Sequence, residues 1–175
     1  MKAEKKLPTI FVTLSDVHVG AQPIEQITKE LYNEEKGFFT KLEEVYKYCK
    51  EEDIIFGGVT ICGDFFNHML SMNSPFAKLA IDFLYSLAYI VIKQYGGHVT
   101  VIQGTRSHDL NQLSLVEPLT IEYDGFFHLF TTVGTLKLHG YDILCIPEEY
   151  MTDQETFYAP YFKKKYDMIW GHGLN

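Results

Sequence analysis

The sequence predicts an α/β protein built as a mixed sheet or layered sandwich with helices on its faces. Three observations carry that prediction. Short apolar runs of strand length alternate with helix-period stretches in the front of the chain. Closely spaced strands come after them, two of them joined by a hairpin turn. The 175 residues are 46% hydrophobic, 22% charged and 15% aromatic, the composition of a chain with a packed core and not of a disordered one. One domain spanning residues 1–175 is expected from that length.

Thr9 to Leu14 (TIFVTL) reads as a buried strand. Pro23 opens a helical region to about Glu52, in which Phe38, Phe39, Leu42, Val45, Tyr46 and Cys49 recur at helical spacing and Gly37 marks a break. Nine acids against five lysines between Glu25 and Asp53 make its outer face acidic, which solvation alone explains. Asp53 to Cys62 is a second strand with a glycine pair inside it. Ser74-Pro75 is an N-cap followed by proline at the first helical position. The helix it opens runs to about Tyr95 and is apolar nearly all round, so it is expected to be buried on two sides, the second side by this chain or by a second subunit. Gly96-Gly97 ends it, and His98 to Gln103 is a third strand. After a polar loop come strands at Phe126 to Thr131, Gly134 to Leu138 and Tyr141 to Ile146, the last two joined at His139-Gly140. A helix over Asp153 to Lys165 and a strand over Tyr166 to Trp170 complete the pattern.

Charge and cysteine content narrow the function classes. A formal net charge of −8 argues against holding nucleic acid by general cationic attraction. It leaves room for a nucleic-acid enzyme, because a carboxylate-lined metal site is itself acidic. Cys49, Cys62 and Cys145 lack any C-x-x-C spacing, so reduced, buried thiols are expected in place of a zinc knuckle or disulfide framework. No apolar signal core comes after the basic stretch Met1 to Lys6. The most apolar stretch, Leu79 to Ile92, is interrupted by Asp82 and Ser86 and reads as too short to span a bilayer. The expected location is cytoplasmic, or the host cytoplasm for a viral chain.

The residues that can do chemistry stand directly after the strands. The first strand ends in Ser15-Asp16-Val17-His18, the second in Gly63-Asp64, the third in Gly104-Thr105-Arg106-Ser107-His108-Asp109, the last in Gly171-His172-Gly173. Taken singly, an Asp-x-His is more often structural and a Gly-Asp more often a turn. Together they deliver carboxylates and imidazoles to the carboxyl ends of strands, the edge where α/β sheets bind ligands. Mixed carboxylate and imidazole donors suit divalent transition metals such as manganese or iron.

These motifs, in this order, resemble those of the calcineurin-like metallophosphoesterases. The spacing and the Gly63-Asp64-Phe65-Phe66 segment are most similar to SbcD-type DNA repair nucleases, and the Gly104-Thr105-x-Ser107-His108-Asp109 form resembles bacteriophage versions of that subunit. The resemblance covers Ile10 to Gly173. It implies a layered metallophosphoesterase sandwich, two divalent ions, most readily manganese, and a metal-activated hydroxide attacking a DNA phosphodiester. Asp16 and His18 would hold one ion, Asp64 would bridge both, and His172 would hold the second. His108 would serve the leaving oxygen as a proton donor, with Asp109 favouring its charged form. DNA, an SMC-like ATPase subunit of the SbcC type and a second copy of the chain are the implied partners.

Two departures stand out. Ser107 occupies the place where the family offers an asparagine ligand, and a hydroxyl is the poorer donor. The family's later Gly-His-x-His pair does not come after His172, so the domain is expected to lack its C-terminal strands here. Other residues carry two readings. Arg106, the one arginine in the chain, is a phosphate contact or a surface turn residue. Asn67 and His68 are substrate contacts or packing residues. His98, His128 and His139 read as structural or surface residues. Lys163 to Lys165 is a solvated helix end or a contact with a DNA backbone. Two rival functions remain: a phosphatase on small phosphoesters or phosphoproteins, and a metal-free binding module on the same fold.

Overall fold

A computed structural model describes residues 6–71, 73–109, 112–148 and 153–173. Two sheets form an α/β architecture. β1 (Thr9–Leu14), β2 (Ile55–Cys62), β3 (His98–Ile102) and β4 (Phe127–Phe130) make an all-parallel sheet in that order. β5 (Gly134–Leu138), β6 (Tyr141–Ile146) and β7 (Met168–Gly171) make a second sheet, antiparallel at the β5–β6 hairpin and parallel between β6 and β7. The hairpin turns at His139 and Gly140, both at positive φ, as a two-residue turn of this type demands.

Three apolar layers arise from the two-residue period of the strands. On one side of the parallel sheet, Val59, Ile61, Val99 and Val101 pack with Leu42 of α2 (Phe38–Glu51) and with Phe83, Leu84 and Leu87 of α3 (Pro75–Ala88). The same layer takes in Ile27 and Leu31 of α1 (Ile24–Tyr32). On the opposite side Cys62 and Ile102 meet Leu138, Ile143, Cys145 and Trp170 of the second sheet. The outer face of that sheet, with Leu144 and Ile146, packs on Tyr158 of α6 (Gln154–Phe162). All three cysteines are free and buried; burial pushes the Cys62 and Cys145 thiols up to about 11 and about 12, which keeps them protonated and unreactive.

α3 begins as the sequence predicts: the Ser74 hydroxyl accepts the Ala77 amide at 3.0 Å and Pro75 opens the first turn. It continues through a π-helical turn, Tyr89–Gln94. The whole stretch, Pro75–Gln94, has 20 residues and a mean hydropathy of 1.5, long and apolar enough by length and composition to cross a membrane. This helix extends beyond the Leu79 to Ile92 stretch that the sequence singles out. Its inner face, with Ala80, Phe83, Leu84, Leu87 and Val91 fully buried, is covered by the core, whereas Tyr85 and Tyr89 are exposed.

The expected polar loop after β3 is also corrected. It contains α4 (Arg106–Asp109), a 3-10 turn (Leu113–Val116) and α5 (Glu117–Glu122), with Leu113, Val116 and Leu119 buried. None of these pieces is long enough to print a helical period. β7 and α6 are shorter than the sequence suggests.

The three histidines away from the motifs lie together. His98 Nδ1 is 3.2 Å from His128 Nε2, and the His98 ring also packs on His139 and Phe126. Burial, then the neighbouring imidazoles, pushes His98 down to about 4. The unfolded chain therefore takes up a proton at this residue, near pH ~6.5, before the folded one does. Stability is full above that pH and falls as pH drops towards about 4. Urea unfolding at pH 7.5 and pH 5 is expected to show about 1 kcal/mol less stability at the lower pH, the shift being discounted for the ring's partial exposure. His98→Gln should flatten this difference; an unchanged pH profile in that variant would place its source elsewhere.

Candidate metal centre

The carboxyl ends of β1, β2, β3 and β7 meet at one edge. Backbone pairing continues past the strands: the His18 amide donates to the Asp64 carbonyl at 3.0 Å, the Gly63 amide to Ile102 at 3.0 Å, and the His172 amide to Ile146 at 3.2 Å. These bonds hold the motif loops in register with one another. Asp16, His18 and Asp64 sit at φ 55°, 49° and 47°, the left-handed region that non-glycine residues seldom enter. Strain of this kind persists where surrounding structure enforces it, characteristically at functional sites.

Two glycines permit the approach. A Cβ on Gly104 would collide with the backbone nitrogen and carboxylate of Asp64, and one on Gly63 with the ring of His172. The glycines seen beside the acids and histidines in the sequence therefore have a steric cause.

Among the described residues two groups of donor atoms result, each with its atoms within 4.8 Å of one another: Asp16, Asp64 and His172, and His18, Asp64 and His108. Asp64 belongs to both. His172 Nε2 lies 3.6 Å from Asp16 Oδ1 and 3.6 Å from Asp64 Oδ2, and His108 Nδ1 lies 2.9 Å from Asp64 Oδ2. The His18 and His108 rings meet edge to face, 4.9 Å between centroids. The grouping differs from the expected one: Asp16 clusters with His172, and His18 with His108. His18 Nε2 is 3.8 Å from Asp16 Oδ1, but its ring turns towards His108.

Asp64 is buried, and burial alone would raise its pKa. The Thr105 amide at 2.6 Å, the His108 contact, the Thr105 hydroxyl at 3.2 Å and the nearby His172 together outweigh burial and hold it below the usual carboxylate value. The donor set fits a divalent transition ion: imidazole nitrogens and carboxylate oxygens at the spacing of atoms that share a cation. The buried Nδ1 of His18 has no hydrogen-bond partner, a state that coordination of a cation would relieve.

Of the other sequence candidates, Ser107 is exposed on α4. Arg106 is exposed on α4. Asn67 and His68 pair with each other, Nδ2 to Nδ1 at 3.1 Å, with His68 exposed. Asp109 is corrected: it is fully buried, and its carboxylate accepts the amides of Phe66 at 3.1 Å and Gly104 at 2.8 Å instead of pairing with His108. Burial raises its pKa, with those two amides opposing. It ties two motif loops together.

Sequence reasoning misses three residues. Thr105 holds Asp64. Gln112, from a segment that reads as loop, accepts the Leu70 amide at 2.7 Å and donates to the carbonyls of His68 and His108. Glu148 lies just beyond β6, with its Oε2 3.1 Å from His172 Nδ1 and 3.1 Å from the Thr105 hydroxyl. The sequence does carry a signal for it: a carboxylate close behind another strand end.

No protein-family model matches the chain, and no curated protein matches it. Among solved structures it is similar to a protein of unknown function from Aquifex aeolicus, at 14% identity and a TM-score of 0.39, over 92% of this chain and 76% of that one.

Asp109→Ala leaves the Phe66 and Gly104 amides without their acceptor. It is expected to destabilise the fold by about 2–4 kcal/mol in urea unfolding. Asp109→Asn keeps one acceptor and should cost less. A loss below ~0.5 kcal/mol, the level of a neutral surface change, would show that the loops are tied by other contacts.

Proposed function

We propose that this chain is a divalent-metal phosphodiesterase, a nuclease subunit of a DNA recombination or repair complex that works with an SMC-like ATPase and a second copy of itself. The observation that carries the reading is the convergence of Asp16, His18, Asp64, His108 and His172, from four separate strand ends, on two donor groups sharing one carboxylate. The ordered motifs resemble those of SbcD-type metallophosphoesterases, and the chain has the general α/β class that this resemblance implies. The exposed Tyr85 of α3 and Tyr89 of the π-helical turn after it offer a contact for the second copy.

Bound divalent ions, manganese in this proposal, supply positive charge to the phosphoryl oxygens and acidify water. The residues divide the remaining work. Asp16, His18, Asp64 and His172 hold the site, with Asp64 fixed at its floor by Thr105. Hydrolysis adds water across the P–O bond, and His108 delivers the proton to the departing oxygen. Arg106, exposed on α4, is proposed to pair with a phosphate oxygen, and Asn67 and His68 are proposed substrate contacts. Ser107, exposed on α4, remains a proposed contact through water. The acidic surface leaves much of the grip on DNA to the partners.

The test compares DNA with a chromogenic phosphomonoester in manganese. DNA cleavage that disappears with chelator is expected. Asp64→Ala should lose both manganese binding, followed by calorimetry, and at least ~100-fold in turnover. His108→Ala should keep manganese and lose about 100-fold or more. Equal loss of manganese in both variants would make His108 a ligand. Monoester turnover with intact DNA would favour the phosphatase; absence of manganese binding would favour the binding module.

A further inference from the structure

We infer that Glu148 is the positioning residue for His172, setting the tautomer that leaves Nε2 open as a ligand. This rests on the metal-site reading above and adds a residue outside every motif that supports it.

Glu148 Oε2 lies 3.1 Å from the Thr105 hydroxyl and 3.1 Å from His172 Nδ1. The same hydroxyl lies 3.2 Å from Asp64 Oδ2. A threonine hydroxyl has one proton to donate, so it serves one of the two carboxylates at a time. A proton on His172 Nδ1 satisfies Glu148 and frees the Thr105 proton for Asp64. Moved to Nε2, the proton would find Asp16 Oδ1 and Asp64 Oδ2 both at 3.6 Å, beyond hydrogen-bond reach, and Nδ1 would present a lone pair to a carboxylate. The neutral ring is therefore fixed with hydrogen on Nδ1 and a lone pair on Nε2, directed to the gap between Asp16 and Asp64. Carboxylate, imidazole and cation in that order are the general arrangement by which proteins orient a histidine ligand and raise its basicity.

Glu148 is itself held by the fold. Its amide donates to the Gln103 carbonyl at 3.1 Å, joining the end of β6 to the end of β3. Gly173 gives it room, since a Cβ there would collide with the Glu148 carboxylate. The residue thus links the second sheet to the floor of the site through Thr105 and to its wall through His172.

Nitrogen-15 NMR of the full chain in chelator reads the tautomer without metal or substrate, with the His172 signals assigned from a His172→Gln sample. The wild type is expected to show the Nδ1–H form, and Glu148→Leu a shift towards Nε2–H. Calorimetric manganese titration should show affinity about 10–100-fold weaker in Glu148→Leu. Glu148→Gln keeps an acceptor oxygen and should retain the wild-type tautomer, rescuing most of the affinity; it also serves if the leucine variant does not fold. Thr105→Val removes the hydroxyl and should leave the His172 tautomer unchanged, which a general loosening of the loop would not. An Nε2–H form in the wild type, or wild-type manganese affinity in folded Glu148→Leu, would overturn the inference. If the tautomer and affinity shifts occur but no phosphoester is hydrolysed, the nuclease reading fails and the role of Glu148 stands.

Discussion

The buried carboxylate of Asp64 is the constraint on which the rest of the site depends. A charge taken out of water at the end of a central strand is costly unless donors surround it. Here Thr105 gives it a backbone amide, with its hydroxyl alongside, while His108 and His172 crowd the second oxygen. Thr105 and His108 come from the loop after β3, and His172 from the end of β7. Satisfying one carboxylate therefore requires that β2, β3 and β7 terminate together, which fixes the offset between the two sheets as well as the local chemistry.

That convergence is paid for in backbone freedom. Asp16, His18 and Asp64 occupy left-handed conformations, at a cost of the order of 1 kcal/mol or more each. Gly63 and Gly104 provide space that any side chain would fill. A scaffold tolerates such a concentration of strain only where its neighbours over-determine it. Asp109 and Gln112 do this from beneath: one buried carboxylate and one buried amide bind backbone groups of the loops after β2 and β3. Neither belongs to the donor groups, yet both decide whether His68 and His108 stay where they are.

Much of the fold is legible in the sequence because strand-length apolar runs, glycine pairs and the Ser74-Pro75 cap are local signals. The site is legible for a related reason: an acid or histidine beside a glycine after a strand is a local pattern, and a parallel sheet brings such patterns to one edge. The features that escape are non-local. Asp109 sits beside His108 in sequence, which suggests that the two interact; the short α4 helix instead turns its carboxylate inward, beneath the loop that carries Asp64. The division of donors into two groups depends on ring orientation, which spacing does not encode. Glu148 stands behind a strand end like the motif residues, but its role depends on the second sheet packing on the first, which brings the end of β6 against the end of β3.

The charge pattern gives the arrangement its direction. Asp16, Asp64 and Glu148 bring three carboxylates around His172, in a chain already at −8. Like charges at this spacing repel unless positive charge is supplied. Arg106, the one arginine of the chain, is exposed on α4. The inner groups therefore form a region of negative potential lined with lone pairs, favourable to a small cation and, without one, hostile to a phosphate. Under the phosphodiesterase proposal, a bound cation would reverse that preference where strand ends, strained backbone and buried donors coincide, and the acidity that argues against unspecific nucleic-acid binding would couple the approach of an anionic substrate to prior occupation by metal.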